Sequence, residues 1–79
     1  MQTAENTTGV SSTRLNICAI LSELGRHDEA ARIAEAAVGE LLTSLKEFRR
    51  LKKNTLATEG TLAVAYYNLG VELEHLGRE

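Results

Sequence analysis

Apolar residues recur every three or four positions in three separate segments of the chain, which is the spacing of one face of an α-helix. The first segment is followed directly by Gly25 and contains Leu15, Ile17, Cys18, Ile20, Leu21 and Leu24. A hydroxyl side chain at Ser11, Ser12 or Thr13 suits the N-cap of a helix, and glycine suits the position just after its end. The pattern predicts a helix over about 13–24, preceded by a mobile polar tail over residues 1–11.

The second segment keeps the helical spacing for much longer than the first. It starts with Asp28 and Glu29 and ends in a basic cluster, an order that matches the two ends of a helix dipole. Its apolar positions are Ala30, Ile33, Ala34, Ala37, Val38, Leu41, Leu42, Leu45 and Phe48. We therefore predict one long helix over about 27–53. A loop over 54–60 then leads to a third predicted helix over about 61–76, whose stripe is Leu62, Ala65, Tyr66, Leu69, Leu73 and Leu76.

Composition favours helices over a sheet throughout the chain. The sequence has no proline and three aromatic residues, Phe48, Tyr66 and Tyr67, and strands are usually rich in aromatic and β-branched residues. The turn over 25–27 is so short that the first two helices must be antiparallel neighbours. Gly70 costs about 1 kcal/mol relative to alanine inside the third helix, and we expect close packing by a neighbour to offset it. The expected fold is all-α, an antiparallel helical hairpin plus a third helix.

A six-residue pattern, Leu-x-x-Leu-Gly-Arg, occurs at 21–26 and again at 73–78, 52 positions apart. Together with Leu73, Leu76 and Gly77, the run Ala65-Tyr66-Tyr67-Asn68-Leu69-Gly70 resembles the first helix and turn of a tetratricopeptide repeat (TPR). Residues 12–38 carry a weaker version of the same pattern. The separation exceeds the usual period of about 34 residues, so the resemblance is to the long-helix variant found in kinesin light chains. It implies a fragment of an α-solenoid.

The resemblance also implies a function, because TPR arrays are scaffolds whose first helices line a concave face for a partner peptide or helix. At the matching positions of this chain, partner contacts are expected from Asn16, Tyr67, Asn68, Val71 and His75. Asn16 and Asn68 match an asparagine that is frequent in the family and can bond the backbone of a ligand. The same face includes Ser12, Leu15, Ala19, Ser22, Glu23, Val64 and Glu74. It has no lysine or arginine, so the acidic C-terminus of a chaperone is not an expected ligand.

The third helix has no following helix to cover it in this sequence. We therefore expect an uncovered apolar edge, and a self-association surface, at Leu69, Leu73 and Leu76. The chain is either a fragment of a longer repeat array or a homo-oligomer, and both can hold. The predicted function is a scaffold or adaptor segment that binds a protein partner. The alternative is a structural self-assembly module, a homodimer through its long helix and uncovered third helix, with no separate ligand.

Charge and candidate chemistry narrow the partners further. A net charge of -2 and a pI of about 5.7 give no reason to expect nucleic acid, and no apolar run is long enough for membrane insertion. One cysteine excludes an internal disulfide and indicates a cytoplasmic protein, with association with the cytoskeleton as a further expectation. The basic cluster over 46–53 is expected to be a solvated helix end, with contact to an acidic partner or a microtubule-like surface as the alternative.

No residue pattern indicates an active site or a cofactor. Cys18 falls at a helix-packing position, where a small buried hydrophobe is expected rather than a reactive thiol. His27 and His75 lack neighbours at zinc-ligand spacing. We therefore expect no catalytic residues, no metal, no cofactor and no enzymatic activity.

Overall fold

The computed structural model describes residues 4–77, with the surroundings of individual side chains described from residue 9 onward. The three helices are α1 (Ala4–Glu23), α2 (His27–Arg50) and α3 (Leu56–Gly77). The described residues contain no strand, and the predicted all-α class is confirmed.

The three helices form one elongated bundle of 43 × 20 × 16 Å. Helix α2 packs against both neighbours, and α1 and α3 also contact each other along a narrower seam. Because α2 runs antiparallel to each neighbour, α1 and α3 run in the same direction. The 24 residues of α2 span about 36 Å, and both other helices pack against this helix.

Helix α1 begins much earlier than the sequence pattern predicted. It starts at Ala4 rather than at about residue 13, so residues 4–11 are helical and not a mobile tail; residues 1–3 of that predicted tail lie outside the described range. Ser11 is fully buried inside the helix and does not cap it. Thr13 donates its hydroxyl to the carbonyl of Gly9 at 3.2 Å, a bond that threonine makes within a helix. The burial of Ser11 extends the packed face of α1 beyond Leu15.

The end of α1 follows the predicted glycine stop. Gly25 has a φ of 77°, a left-handed conformation in which a Cβ is unfavourable. The N–H of Arg26 donates to the carbonyl of Leu21 at 2.9 Å, and the N–H of Gly25 donates to that of Ser22 at 3.0 Å. These two bonds define a Schellman motif, which satisfies carbonyls at the end of the helix.

The end of α2 uses the same motif with a lysine in place of the glycine. Lys52 has a φ of 57°, and the N–H of Lys53 donates to the carbonyl of Phe48 at 2.8 Å. The helix therefore ends at Arg50 and not at about residue 53. The sequence pattern missed this stop because lysine rarely takes the left-handed conformation.

Helix α3 also begins earlier than predicted. The Oδ1 atom of Asn54 accepts a hydrogen bond from the N–H of Leu56 at 2.8 Å, and the carbonyl of Thr55 accepts one from the N–H of Glu59 at 2.8 Å. The asparagine side chain thereby satisfies a backbone donor that the first turn of a helix leaves open. The connection consequently covers residues 51–55 instead of 54–60.

The core consists of two adjoining clusters along α2. The larger contains Leu15, Ala37, Val38, Leu41, Leu45, Leu62 and Ala65, and the smaller contains Cys18, Ala30 and Ala34. Leu69 packs against both clusters. Four apolar residues that were predicted to lie on buried stripes are exposed: Ile17, Ile20, Leu24 and Leu42. They are exposed because each helix buries a narrower face than its apolar positions cover.

Gly70 does not sit at a close helix contact. A Cβ built at this glycine meets no atom within 4 Å, and the residue is exposed. The expected close packing by a neighbour is therefore wrong within the described residues, and the glycine lies on an open side of α3.

Candidate binding site

A groove of about 350 Å³ lies between α1 and α3. It occurs where the two helices run side by side in the same direction, with α2 behind them. Its lining is uncharged and consists of Ser12, Leu15 and Asn16 from α1 and Ala57, Gly60, Thr61 and Val64 from α3. The lining consists largely of small side chains, so the groove has room for a side chain or a backbone segment from another molecule.

The predicted partner-binding residues take different places around this groove. Asn16 lines it directly. Asn68 and Val71 are half-buried, whereas Tyr67 is 72% exposed. None of these three residues of α3, nor His75, is among the residues that line the groove.

Helical spacing nevertheless relates three of those residues to the groove. Val64, Asn68, Val71 and His75 follow each other at intervals of four, three and four residues, so they share one side of α3. Because Val64 lines the groove, this side of α3 continues the candidate surface towards Gly77.

The three leucines predicted for self-association do not form one exposed stripe. Leu69 is half-buried and packs against both core clusters. Leu76 is also half-buried, and Leu73 is 51% exposed. The uncovered apolar side of α3 therefore includes Leu73 but is centred away from Leu69.

A polar cluster lies where the N-terminus of α2 meets the C-terminal half of α3. The Nδ1 atom of His27 lies 2.6 Å from Oε1 of Glu72, with only 3% of the glutamate side chain exposed. A carboxylate can only accept, so we assign the proton to Nδ1, which donates to Glu72. The imidazole rings of His27 and His75 stack with centroids 4.1 Å apart and planes 6° apart. The cluster ties the α1–α2 turn to α3.

Cys18 belongs to the apolar side of this same end of the bundle. It is 1% exposed, and burial together with the negative charge of Glu72 raises the pKa of its thiol. A raised pKa disfavours the thiolate, which is the reactive form of cysteine. The prediction that Cys18 is a buried packing residue is confirmed by its burial.

Glu72 is the site residue that the sequence reasoning missed. The residues Leu62, Ala65, Leu69 and Leu76 follow a three-four spacing along α3, and position 72 fills the gap in that series. A glutamate at a core position requires a partner, because burying an unpaired carboxylate is very costly. The sequence offered His27 and His75 as possible partners for this carboxylate, but nothing in their spacing indicated that either would lie beside Glu72.

The basic end of α2 contains exposed ion pairs. Arg50 donates to Glu47 at 2.7 Å, and this hydrogen bond lowers the pKa of the Glu47 carboxyl group. Arg49 lies 3.7 Å from Glu59 and so links α2 to α3. Pairs this exposed contribute little to stability.

Comparison with known proteins adds no relative to these observations. No family model, no curated protein and no solved structure matches the chain. Within residues 4–77, no helix is both long and apolar enough to cross a membrane. In the same part of the chain, no three histidine, cysteine, aspartate or glutamate side chains are grouped so that they could hold a metal ion.

Proposed function

We propose that this protein is a TPR-like interaction module that binds a partner polypeptide in the groove between α1 and α3. The observation that carries the proposal is the groove itself, whose lining includes Ser12, Leu15, Asn16 and Val64. All four belong to the helix face that the TPR resemblance assigns to partner binding. The parallel course of α1 and α3 with α2 behind them supports the same assignment.

The chemistry of the lining indicates the kind of segment that fits. Leu15 and Val64 supply apolar walls, and the amide of Asn16 offers both a donor and an acceptor to a peptide backbone. Thr61 donates its hydroxyl to the carbonyl of Ala57 at 3.0 Å. The groove therefore suits an uncharged, partly apolar segment, and its function requires no catalytic group.

A substitution that fills the groove tests this proposal directly. Peptides of roughly 12 residues are selected from a random display library on the immobilised full chain, a length that spans about 18 Å if helical. Ala57→Leu places a larger side chain in the groove, and we expect it to weaken binding of the selected peptides at least about tenfold, which is about 1.4 kcal/mol. Fluorescence anisotropy with labelled peptide measures the affinity.

The matched control is Ala36→Leu, which makes the same change at an exposed position of α2. This variant should bind the selected peptides as the wild type does. Both variants should keep their helical circular dichroism signal, because neither alanine is buried. The proposal fails if the library yields no binder, or if the selected peptides bind the Ala57→Leu variant with undiminished affinity.

A further inference from the structure

Helix α3 has a second apolar side that faces away from the core. Its core side contains the buried residues Thr58, Leu62, Ala65 and Glu72 and the half-buried Leu69 and Leu76. A separate series with the same three-four spacing contains exposed residues, and we call it the outer face of α3: Leu56, Glu59, Ala63, Tyr66, Gly70 and Leu73. Leu56 is 74% exposed, and Tyr66 and Leu73 are each 51% exposed. Exposed large apolar residues grouped on one side of a helix are typical of an association surface.

From Ala63 to Leu73, small and large residues alternate along the outer face. Tyr66 and Leu73 project from this face, whereas the small residues Ala63 and Gly70 leave depressions beside them. At Gly70 an added Cβ would meet nothing within 4 Å. A second α3 laid antiparallel, with a two-fold axis near residue 68, would place Tyr66 opposite Gly70 and Leu73 opposite Ala63. The large side chains of one copy then fill the depressions at the small residues of the other copy, as close packing requires.

The charges of the bundle favour the antiparallel direction. The end that contains the α2–α3 connection is positive, with Lys46, Arg49, Arg50, Lys52 and Lys53 against Glu47 and Glu59. The end that contains the α1–α2 turn is negative, with Glu23, Asp28, Glu29, Glu35, Glu72 and Glu74 against Arg26 and Arg32. An antiparallel pair brings each end beside its opposite, whereas a parallel pair brings like charges together.

We propose that a second copy of this chain docks antiparallel on the outer face of α3, about a two-fold axis near Asn68. The contact is isologous, so it closes as a dimer and does not propagate. This surface is distinct from the groove between α1 and α3, and the dimer leaves that groove open. The 22 residues of α3 cover a footprint on the order of 350 Å², well below the roughly 800 Å² per partner of a standard interface. The dimer is therefore weak and concentration-dependent.

Sedimentation equilibrium of the full chain over roughly 5 to 500 µM tests for a dimer of this strength. We expect the mean mass to rise from monomer towards dimer across this range. Leu73→Glu places a charge on the outer face and should weaken the dimer at least about tenfold. Ile20→Glu is the matched control, because Ile20 is 59% exposed but belongs to α1. A monomer at every concentration, or a dimer that Ile20→Glu disrupts and Leu73→Glu does not, overturns the proposal.

Distances between spin labels test the orientation. In a Cys18→Ala background, Tyr67→Cys places the label beside the proposed axis and Leu56→Cys places it 12 residues away. At about 1.5 Å per residue, the two Leu56→Cys labels should be about 36 Å apart, and the two Tyr67→Cys labels within about 20 Å. Short distances at both positions indicate a parallel pair and contradict the proposal. Circular dichroism confirms that each labelled variant remains helical.

Discussion

The pair formed by His27 and Glu72 should contribute a measurable part of the stability of this fold. Only 3% of the Glu72 side chain and 16% of the His27 side chain are exposed, and the two polar atoms are 2.6 Å apart. Hydrogen bonds to charged groups contribute about 1.5–3 kcal/mol. Removal of one partner from a fully buried pair costs about 3–5 kcal/mol. Since His27 is partly accessible to water, we expect Glu72→Gln to cost about 2 kcal/mol, within the lower of these two ranges.

This loss is large for a chain of 79 residues, whose total stability should be about 4–12 kcal/mol. Urea unfolding followed by circular dichroism at 222 nm measures the loss by linear extrapolation. Glu35→Gln is the matched control, because Glu35 is exposed on α2. It should change stability by less than about 0.5 kcal/mol.

A double-mutant cycle isolates the pair from other effects of the substitutions. The His27→Ala variant also loses the stack on His75, but that loss occurs with or without Glu72 and cancels in the cycle. We expect a coupling energy between His27 and Glu72 of at least about 1 kcal/mol. A coupling below about 0.5 kcal/mol would refute the reasoning, because it would mean that Glu72 is stabilised without His27.

Four further measurements test local features of the structure. Gly70→Ala should stabilise the monomer by about 1 kcal/mol in urea unfolding, since α3 gains helix propensity and the Cβ meets open space. Lys52→Gly should raise stability by about 1 kcal/mol in the same assay, since it relieves a left-handed lysine; a decrease would contradict the Schellman assignment. The Cys18 thiol should react with an aromatic disulfide far more slowly in the native chain than in urea, because burial raises its pKa; equal rates would contradict its burial. Arg50→Gln should raise the pKa of Glu47 in an NMR titration, and an unchanged pKa would show that the pair does not persist in solution. Because Arg50 lowers that pKa in the folded chain, the stabilisation is present above the unfolded pKa and is lost as the pH falls through the folded pKa.

Local signals in the sequence predicted the elements more reliably than their limits. The apolar spacing and Gly25 were sufficient to predict the antiparallel hairpin of α1 and α2. The stop at Lys52 was missed because lysine rarely takes the left-handed conformation that ends the helix there. The start after Asn54 was missed because it depends on a side-chain hydrogen bond of Asn54 to the backbone of Leu56. The start of α1 was missed because Ser11 is buried by contacts with the rest of the bundle.

The candidate groove was predicted only in part. Helical spacing identified the sides of α1 and α3 that carry Asn16 and Val64, and both residues line the groove. The contributions of Ala57 and Gly60 were missed because the predicted helix began after them. Tyr67, in contrast, lies on a more exposed side of α3.

The sequence by itself determined that this chain forms three helices and that α1 and α2 are antiparallel neighbours, because helix propensity, apolar spacing and short turns act over a few residues. Only the tertiary structure decided which side of α1 and α3 is buried, since both helices are apolar on more than one side. The tertiary structure also decided the pairing of His27 with Glu72, which are 45 positions apart. A buried carboxylate requires a partner, but its spacing along one helix cannot indicate which distant residue the fold will bring to it.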